Sequence, residues 1–384
     1  MKNPMDQSTI KRINRARILK VFRDHEIIQK KDLAEGLGLS ITTVTTNTRQ
    51  LIEEGLIEET GIAESTGGRK PVVFKFNKNA RVSFGVEVTP RMVTLIMTNL
   101  VSEIMEMVKF SIEGMTLPQA LKVIETQIDR LLENHEIEKQ DCLGIGLALP
   151  GSVDDGQKLL LNAPNLHVSN FSFEGFEADC GIEVFTGNEA NLAAFAEVIL
   201  GTVKPIKNAV YVSITDGVGC GIISNGEVTK GFTNSAGEFG HMRVSDGPKV
   251  CSCGRTGCWE LFSSERALIQ GYNENAAHAI STLTEFFDAY AQKDHLAIEL
   301  LNRYIAHLAI GIENILLGLD PEVIIIGGEM AVFLKSLLSS EEDFFHKNPS
   351  SLVTKEHRII FSEIAPLSAV LGGSLLPFKA LFGF

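Results

Sequence analysis

A chain of 384 residues has room for two or three domains, and a 44% hydrophobic share supplies a sizeable core, which excludes a largely disordered polypeptide. No apolar run approaches the roughly 20 residues that span a bilayer, and the opening MKNPMDQSTIKRINR holds no apolar secretory segment, so a cytoplasmic protein with no membrane partner is expected. The net charge of −13 speaks against nucleic acid until it is divided: residues 1–80 hold 14 Lys+Arg against 10 Asp+Glu, or +4, leaving −17 on the rest. A mildly basic head on an acidic body is expected to meet phosphate through the head alone.

The head reads as helix, helix, turn, helix and a two-stranded wing. Residues 9–24 place Ile13, Ile18, Leu19 and Phe22 among cations, an amphipathic helix. KKDLAEGLG gives a second short helix, broken at Gly38, and Ser40 is a natural N-cap for a third that runs to about Glu54. LIEET and VVFKF, at 72–76, read as strands. On the third helix Val44 and Leu51 share an inward stripe, while Thr42, Thr46 and Arg49 point the other way with Thr43 and Gln50 beside them. Alone, that face is equally a solvated Thr-rich surface. The helix order and the wing turn the reading to DNA, because short hydroxyls and one Arg suit base edges and phosphates in a major groove. The wing connection TGGRKP puts Arg69 and Lys70 at its tip, able to grip phosphate or enter a minor groove.

From about residue 82 the pattern becomes α/β. VSFGVEV, MVTLIMTN and EIMEMVKF are strand-like, 117–134 is helical, CLGIGLALPG is a buried strand, and a helix follows Asn188. AVYVSITDGVGCGIISNGEV then gives strand, turn, strand, followed by a long helix near 295–317, the strand EVIIIGG, and a last strand and helix after 357. Two strand-rich halves interleaved with helices predict two lobes around a central cleft.

Six cysteines are present, and three of them crowd into eight residues. In a cytoplasmic chain such crowding reads as metal binding before disulfide. GEFGHMRVSDGPKVCSCGRTGCWE offers His241, Cys251, Cys253 and Cys258. One imidazole and three thiolates form a closed structural Zn2+ site with no open position for a reactive water. The alternative is three unliganded cysteines and a free His on a loop.

The head pattern LAEGLGLSITTVTTNTRQLIEEGLIEE followed by GGRKP, and the His-x9-Cys-x-Cys-x4-Cys spacing, resemble the ROK family (repressors, open reading frames, kinases). The resemblance covers the head and essentially all of 79–384. It implies an α/β fold with an N-terminal winged helix-turn-helix at 1–78 and a two-lobed actin/hexokinase-like ROK domain at 79–384, its metal loop at 238–260. It also implies the sugar site: Glu238 and His241 of GEFGH, Glu260 of GCWE, and Asn188 and Glu189 of GNEAN stand where family members hold sugar hydroxyls. Carboxylates and amides suit such hydroxyls, which both donate and accept.

ROK kinases carry an approximate D-I-G-G-T-K turn that cradles phosphate. The aligned stretch here is Glu87-Val88-Thr89-Pro90-Arg91-Met92. Thr89 and Pro90 replace the glycines, and proline has no N–H to offer. Glu189 replaces the family's catalytic Asp and is one methylene longer, a vestigial base position. Two readings of different class follow. One is a sugar-responsive regulator, by family default a repressor, binding operator DNA as a homodimer or homotetramer and lacking phosphoryl transfer. The other is an active sugar kinase with a DNA-binding head. The altered first turn favours the regulator, and the glycine-rich turn Thr215–Gly221 reads as a remnant of the fold.

Overall fold

The computed structural model describes residues 7–62, 72–201, 206–338 and 358–383. The head forms α1 (Gln7–Asp24), β1 (Ile27–Gln29), α2 (Lys30–Leu37), α3 (Ile41–Glu53), β2 (Ile57–Ile62) and β3 (Val72–Phe76). Gly38 ends α2 in the left-handed conformation, and the Ser40 hydroxyl caps α3 by accepting from the Thr43 N–H. Val44 and Leu51 are fully buried, as their stripe predicts. The wing differs from expectation: it has three antiparallel strands in the order β1-β3-β2. Three residues are too few to show a period of two, so β1 is defined only by its pairing with β3.

The first lobe contains β4 (Val82–Val88), β5 (Met92–Asn99), β6 (Ile104–Ser111), α4 (Leu117–Asn134) and β7 (Cys142–Leu149). A small flap follows, β8 (Ser152–Asp154), β9 (Leu159–Ala163) and β10 (Val168–Ser172), then α5 (Glu174–Cys180), β11 (Val184–Asn188) and α6 (Glu189–Leu200). The second lobe contains β12 (Ala209–Ile214), β13 (Val218–Ser224), β14 (Glu227–Thr229), α7 (Glu260–Ser263), α8 (Glu265–Asn273), α9 (Leu283–Ala291), α10 (His295–Leu319), β15 (Val323–Gly327), α11 (Glu329–Leu337) and β16 (Arg358–Phe361). Two helices close the chain, α12 (Ser368–Leu375) and α13 (Lys379–Phe382).

The two main sheets share one topology. Their orders are β11-β7-β4-β5-β6 and β16-β15-β12-β13-β14, each an antiparallel three-strand meander extended by two parallel strands. The repeat that the sequence shows only as pattern order is therefore a repeat of register and direction. α12 is buried along its whole length against the first lobe. Its approach to the sheet requires glycine: a Cβ on Gly146 would lie 1.9 Å from the Gly373 carbonyl oxygen.

The head is seated on the body. Ile18, Leu19 and Phe22 of α1 share one apolar cluster with Ile96 of β5, Val370 and Leu375 of α12, and Phe378 and Phe382. Arg23 donates to the Ser102 hydroxyl at 3.1 Å and lies 5.5 Å above the Phe382 ring. Arg81 donates to the Glu54 carbonyl at the end of α3 and pairs with Asp141 at 3.2 Å.

Candidate functional site

The loop between β14 and α7 folds into a knuckle. Arg243 and Val250 bridge to Cys258 and Thr256, and Gly257 must be glycine, since φ is +73° and a Cβ would sit 1.8 Å from the Ser245 carbonyl oxygen. The fold brings one ligand atom from each of His241, Cys251, Cys253 and Cys258 within 4.8 Å of one another. The Cys253–Cys258 sulfur separation is 3.6 Å and the Cys251 Sγ–His241 Nδ1 separation is 3.4 Å. A tetrahedron with metal–sulfur bonds of about 2.3 Å and a metal–nitrogen bond of about 2.0 Å has edges of roughly 3.5–3.8 Å, so these four groups fit a metal ion. His241 Nδ1 faces the sulfurs, and its Nε2 lies 3.7 Å from a Glu238 carboxylate oxygen, the outer partner a metal-bound imidazole needs. Burial pushes the Cys253 thiol up, but the Arg255 backbone N–H, the Arg255 side chain and the neighbouring sulfurs outweigh it and bring the thiol down to about 6. That favours the thiolate, the form that binds metal.

Three of the expected sugar residues adjoin this knuckle. Glu238 begins a short 3-10 turn that ends at His241, and Glu260 is buried at the start of α7. Glu260 lies 3.7 Å from His241 Nδ1 and accepts from the Cys251 thiol at 2.8 Å. Glu189 approaches from α6. A Cβ on Gly217 would stand 3.2 Å from Glu260 Oε2, and one on Gly219 would stand 3.6 Å from Glu189 Oε1. The second glycine-rich turn, expected as a remnant, thus makes room for two carboxylates. Burial pushes the Glu189 carboxyl up to about 8; its own backbone N–H opposes the rise, while Glu238 and Glu87 add to it.

Asn188 is placed at the start of α6. Its Oδ1 accepts from the N–H groups of Ala190 and Asn191, both at 3.0 Å, and its Nδ2 donates to the Gly151 carbonyl and to Glu189 Oε2. All four of its hydrogen-bonding positions are used. It caps α6 and aims Glu189. Asn191, which the sequence reading did not single out, has a buried Oδ1 without a hydrogen-bond partner. The signal was present in the second Asn of GNEAN, but only the turn of α6 separates the two roles.

The first phosphate turn is closed upon itself. The Thr89 N–H donates to the Met92 carbonyl at 2.9 Å, and the Met92 N–H donates to the Thr89 hydroxyl at 3.0 Å. Pro90, between them, has no N–H to offer. Carboxylates border the same space. Burial and then Glu329 push Glu87 up to about 7, with Lys109 opposing; burial, Glu329 and Asp216 push Glu265 up to about 7, with Arg91 opposing. Glu329 also occupies the first position of α11, where a helix N-terminus would otherwise receive an anion. A polyphosphate would meet like charge here.

The raised Glu189 pKa has a consequence for stability. Between the ordinary carboxyl value near 4.5 and about 8, the folded chain keeps a proton that the unfolded chain has released, so stability falls as pH rises through that window. Glu189→Gln removes the titration. Its melting temperature is expected to exceed that of the parent at pH 8.5, by roughly 2–4 °C for each kcal/mol gained, and to match it near pH 4.5. Parallel melting curves across pH would contradict this assignment.

In the head, Thr42, Thr46 and Arg49 are exposed and Thr43 and Gln50 are half-buried, as the helix reading requires. Thr46 donates its hydroxyl proton to the Thr42 carbonyl at 3.1 Å, so its oxygen faces outward as an acceptor. Arg69 and Lys70 lie outside the described residues. Among those residues, no helix is long and apolar enough to cross a membrane.

Comparison with known proteins agrees with this architecture. The ROK family model matches residues 83–376, and a winged helix-turn-helix DNA-binding model matches residues 12–58. The xylose repressor of Bacillus spizizenii is 31% identical over 323 residues, covering 84% of this chain and 83% of that protein. The DNA-binding transcriptional dual regulator NagC of Escherichia coli is 26% identical, covering 94% and 91%. A crystal structure of a ROK family transcriptional regulator, a homologue of the E. coli MLC protein, superposes with a TM-score of 0.81 at 25% identity, covering 97% of both chains. A ROK glucokinase from Streptomyces griseus shares the fold of the body, with a TM-score of 0.68 at 22% identity over 77% of this chain and 98% of that one. This chain belongs to the ROK family and carries a winged helix-turn-helix head at its N-terminus.

Proposed function

We propose that the protein is a sugar-responsive transcription regulator that represses carbohydrate-utilisation genes, with the head as reader and the cleft as sensor. The observation that carries the reading is the exposed Thr42–Arg49 face on a head that shares its apolar core with a kinase-like body whose phosphate turn is closed. The similarity to the xylose repressor and to NagC supports it. Division at 78/79 marks function rather than independent folding, since α1 packs against α13.

In this reading His241, Cys251, Cys253 and Cys258 hold a structural Zn2+, which fixes the loop bearing Glu238 and Glu260. With an ion held there Cys251 would be a thiolate, its proton lost to solvent, and Glu260, which accepts from that thiol, would be free to accept from a sugar hydroxyl. Glu189, Glu238, His241 and Glu260 hold the sugar, with Asn188 positioning Glu189 and Asn191 adding an acceptor. The signal travels along α6, which begins at Glu189 and packs on α12, and then through α13 to α1. Within that path buried Glu197 of α6 accepts from Ser362, whose hydroxyl lies 3.3 Å from that of Ser368 at the start of α12.

Operator duplexes selected from a random pool provide the test, titrated by fluorescence anisotropy with the full chain. Arg49→Ala is expected to weaken binding by about 1–3 kcal/mol, and replacing Arg69 and Lys70 by Ala to lower the salt slope by about 2. Full retention of affinity in Arg49→Ala would remove α3 from the interface. A coupled assay with ATP and a panel of xylose, glucose and N-acetylglucosamine is expected to give background rates. Turnover near 1 per second, the low end for kinases, would restore the kinase reading. Recognition of paired half-sites requires association of chains, as a homodimer or homotetramer.

A further inference from the structure

α3 is built largely from residues that do little for a helix. Eight of its thirteen residues are Ile, Val or Thr. Such side chains lose rotamer freedom against the preceding turn, so at exposed positions they weaken a helix that Ala, Glu or Lys would strengthen. One row at helical spacing runs Ile41, Thr45, Arg49. Ile41 is 52% exposed, Thr45 is half-buried and Arg49 is exposed. Isolated exposed aliphatics are ordinary. This one opens the face that the proposed function gives to DNA.

Hydrogen bonding within the helix decides what the row can offer. Thr45 donates its hydroxyl proton to the Ile41 carbonyl at 2.6 Å. It keeps an acceptor oxygen and a methyl group, with no proton left to give. From Arg49 back to the start of α3 the row therefore contains no side-chain hydrogen-bond donor. Most base edges in a major groove present a donor or an acceptor, and one pressed against Ile41 would lose its water without gaining a partner. The C5-methyl group of thymine is the exception, since it asks only for apolar contact. The stiffness that costs the helix is an advantage here, because a β-branched side chain has little rotamer freedom to lose on docking.

We propose that Ile41, backed by Thr45, reads the C5-methyl group of a thymine in the major groove, and that α3 thereby specifies a T·A pair in each half-site. The proposal rests on the reading that α3 meets DNA, and it adds what α3 selects.

Operator duplexes from the selection above, with each thymine replaced in turn by deoxyuridine, test it by anisotropy with the full chain at one fixed salt concentration. Deoxyuridine pairs as thymidine does and lacks only the methyl group. At one thymine position in each half-site the replacement is expected to weaken parent binding about threefold or more, the scale of one methyl group withdrawn from water. Ile41→Ala is expected to melt as the parent does and to bind the thymine operator about fivefold or more weakly. It should bind that operator and its deoxyuridine form alike, to within about 1.5-fold, since the coupled partner is gone. Arg49→Ala, measured in parallel, keeps the two readings apart. If the parent selects no operator, or Arg49→Ala binds as the parent does, the DNA-reading face and this inference fall together. If Arg49→Ala weakens binding while the parent is indifferent to every deoxyuridine, or Ile41→Ala suffers the parent's full loss, the methyl contact alone is overturned.

Discussion

Cys253→Ala is expected to yield protein without bound zinc, melting about 5 °C or more below the parent, with no thermal shift from any sugar that stabilises the parent. Cys253 is the diagnostic choice because it is exposed while Cys251 and Cys258 are buried. Truncating an exposed thiol leaves no cavity, so packing loss contributes little and the change reports the metal. Structural zinc contributes free energy directly to folding, since its preformed site is absent from the unfolded chain. The loss should stay local at first. Glu238, His241 and Glu260 are held by the knuckle, whereas the apolar cores of the two lobes have their own burial. Metal analysis by mass spectrometry and a sugar thermal-shift series decide the matter. Zinc at one equivalent in Cys253→Ala, or an unchanged sugar response without zinc, would refute the assignment.

Phe382→Ala is expected to separate sensing from response. Phe382, at the end of α13, is buried at 2% exposure in the cluster it shares with α1, so its truncation costs about 3–5 kcal/mol of local packing. It lies among the head contacts and outside the sugar cleft. Sugar should therefore still bind, and the thermal shift it causes should persist. The coupling between sugar and operator, typically 5–150-fold in such systems, should fall toward unity. Glu238→Ala should produce the complementary phenotype, with operator affinity retained and sugar binding lost. Reciprocity supplies an internal check, because operator DNA must change sugar affinity in the parent by the same factor that sugar changes operator affinity. Operator titrations by anisotropy over a series of concentrations of the sugar that gives the largest shift measure operator affinity, sugar affinity and their coupling. Parent-like coupling in Phe382→Ala would remove α13 from the path.

Much of this protein is legible along the chain. Amphipathic periods locate α1, α3, α4 and α10, and local chemistry marks the end of α2 at Gly38 and the start of α3 at Ser40. The His-x9-Cys-x-Cys-x4-Cys spacing picks out the four residues whose ligand atoms the structure gathers within 4.8 Å, because a loop that short brings them together whatever surrounds it. The same holds for the altered turn at Thr89-Pro90, where the missing N–H is a property of proline itself.

Other features depend on contacts between distant segments. β1 exists because β3 offers it a ladder, and three residues alone carry no period. Asn188 and Asn191 are chemically identical; the helix start at Glu189 turns one into a cap and leaves the other with an unsatisfied buried oxygen. Glu87, Glu189 and Glu265 are ordinary carboxylates in the sequence, and burial, with neighbouring carboxylates adding to it, raises their pKa values in the folded chain. The head reads as a separate domain because its motif is local, yet Phe22 and Phe382 belong to one apolar cluster although they are far apart in the chain. Local rules therefore determine elements, ligands and turns in this protein, whereas protonation, the division of labour between like residues, and the joining of head to body follow from tertiary packing, which sets the solvent and the neighbours of each group.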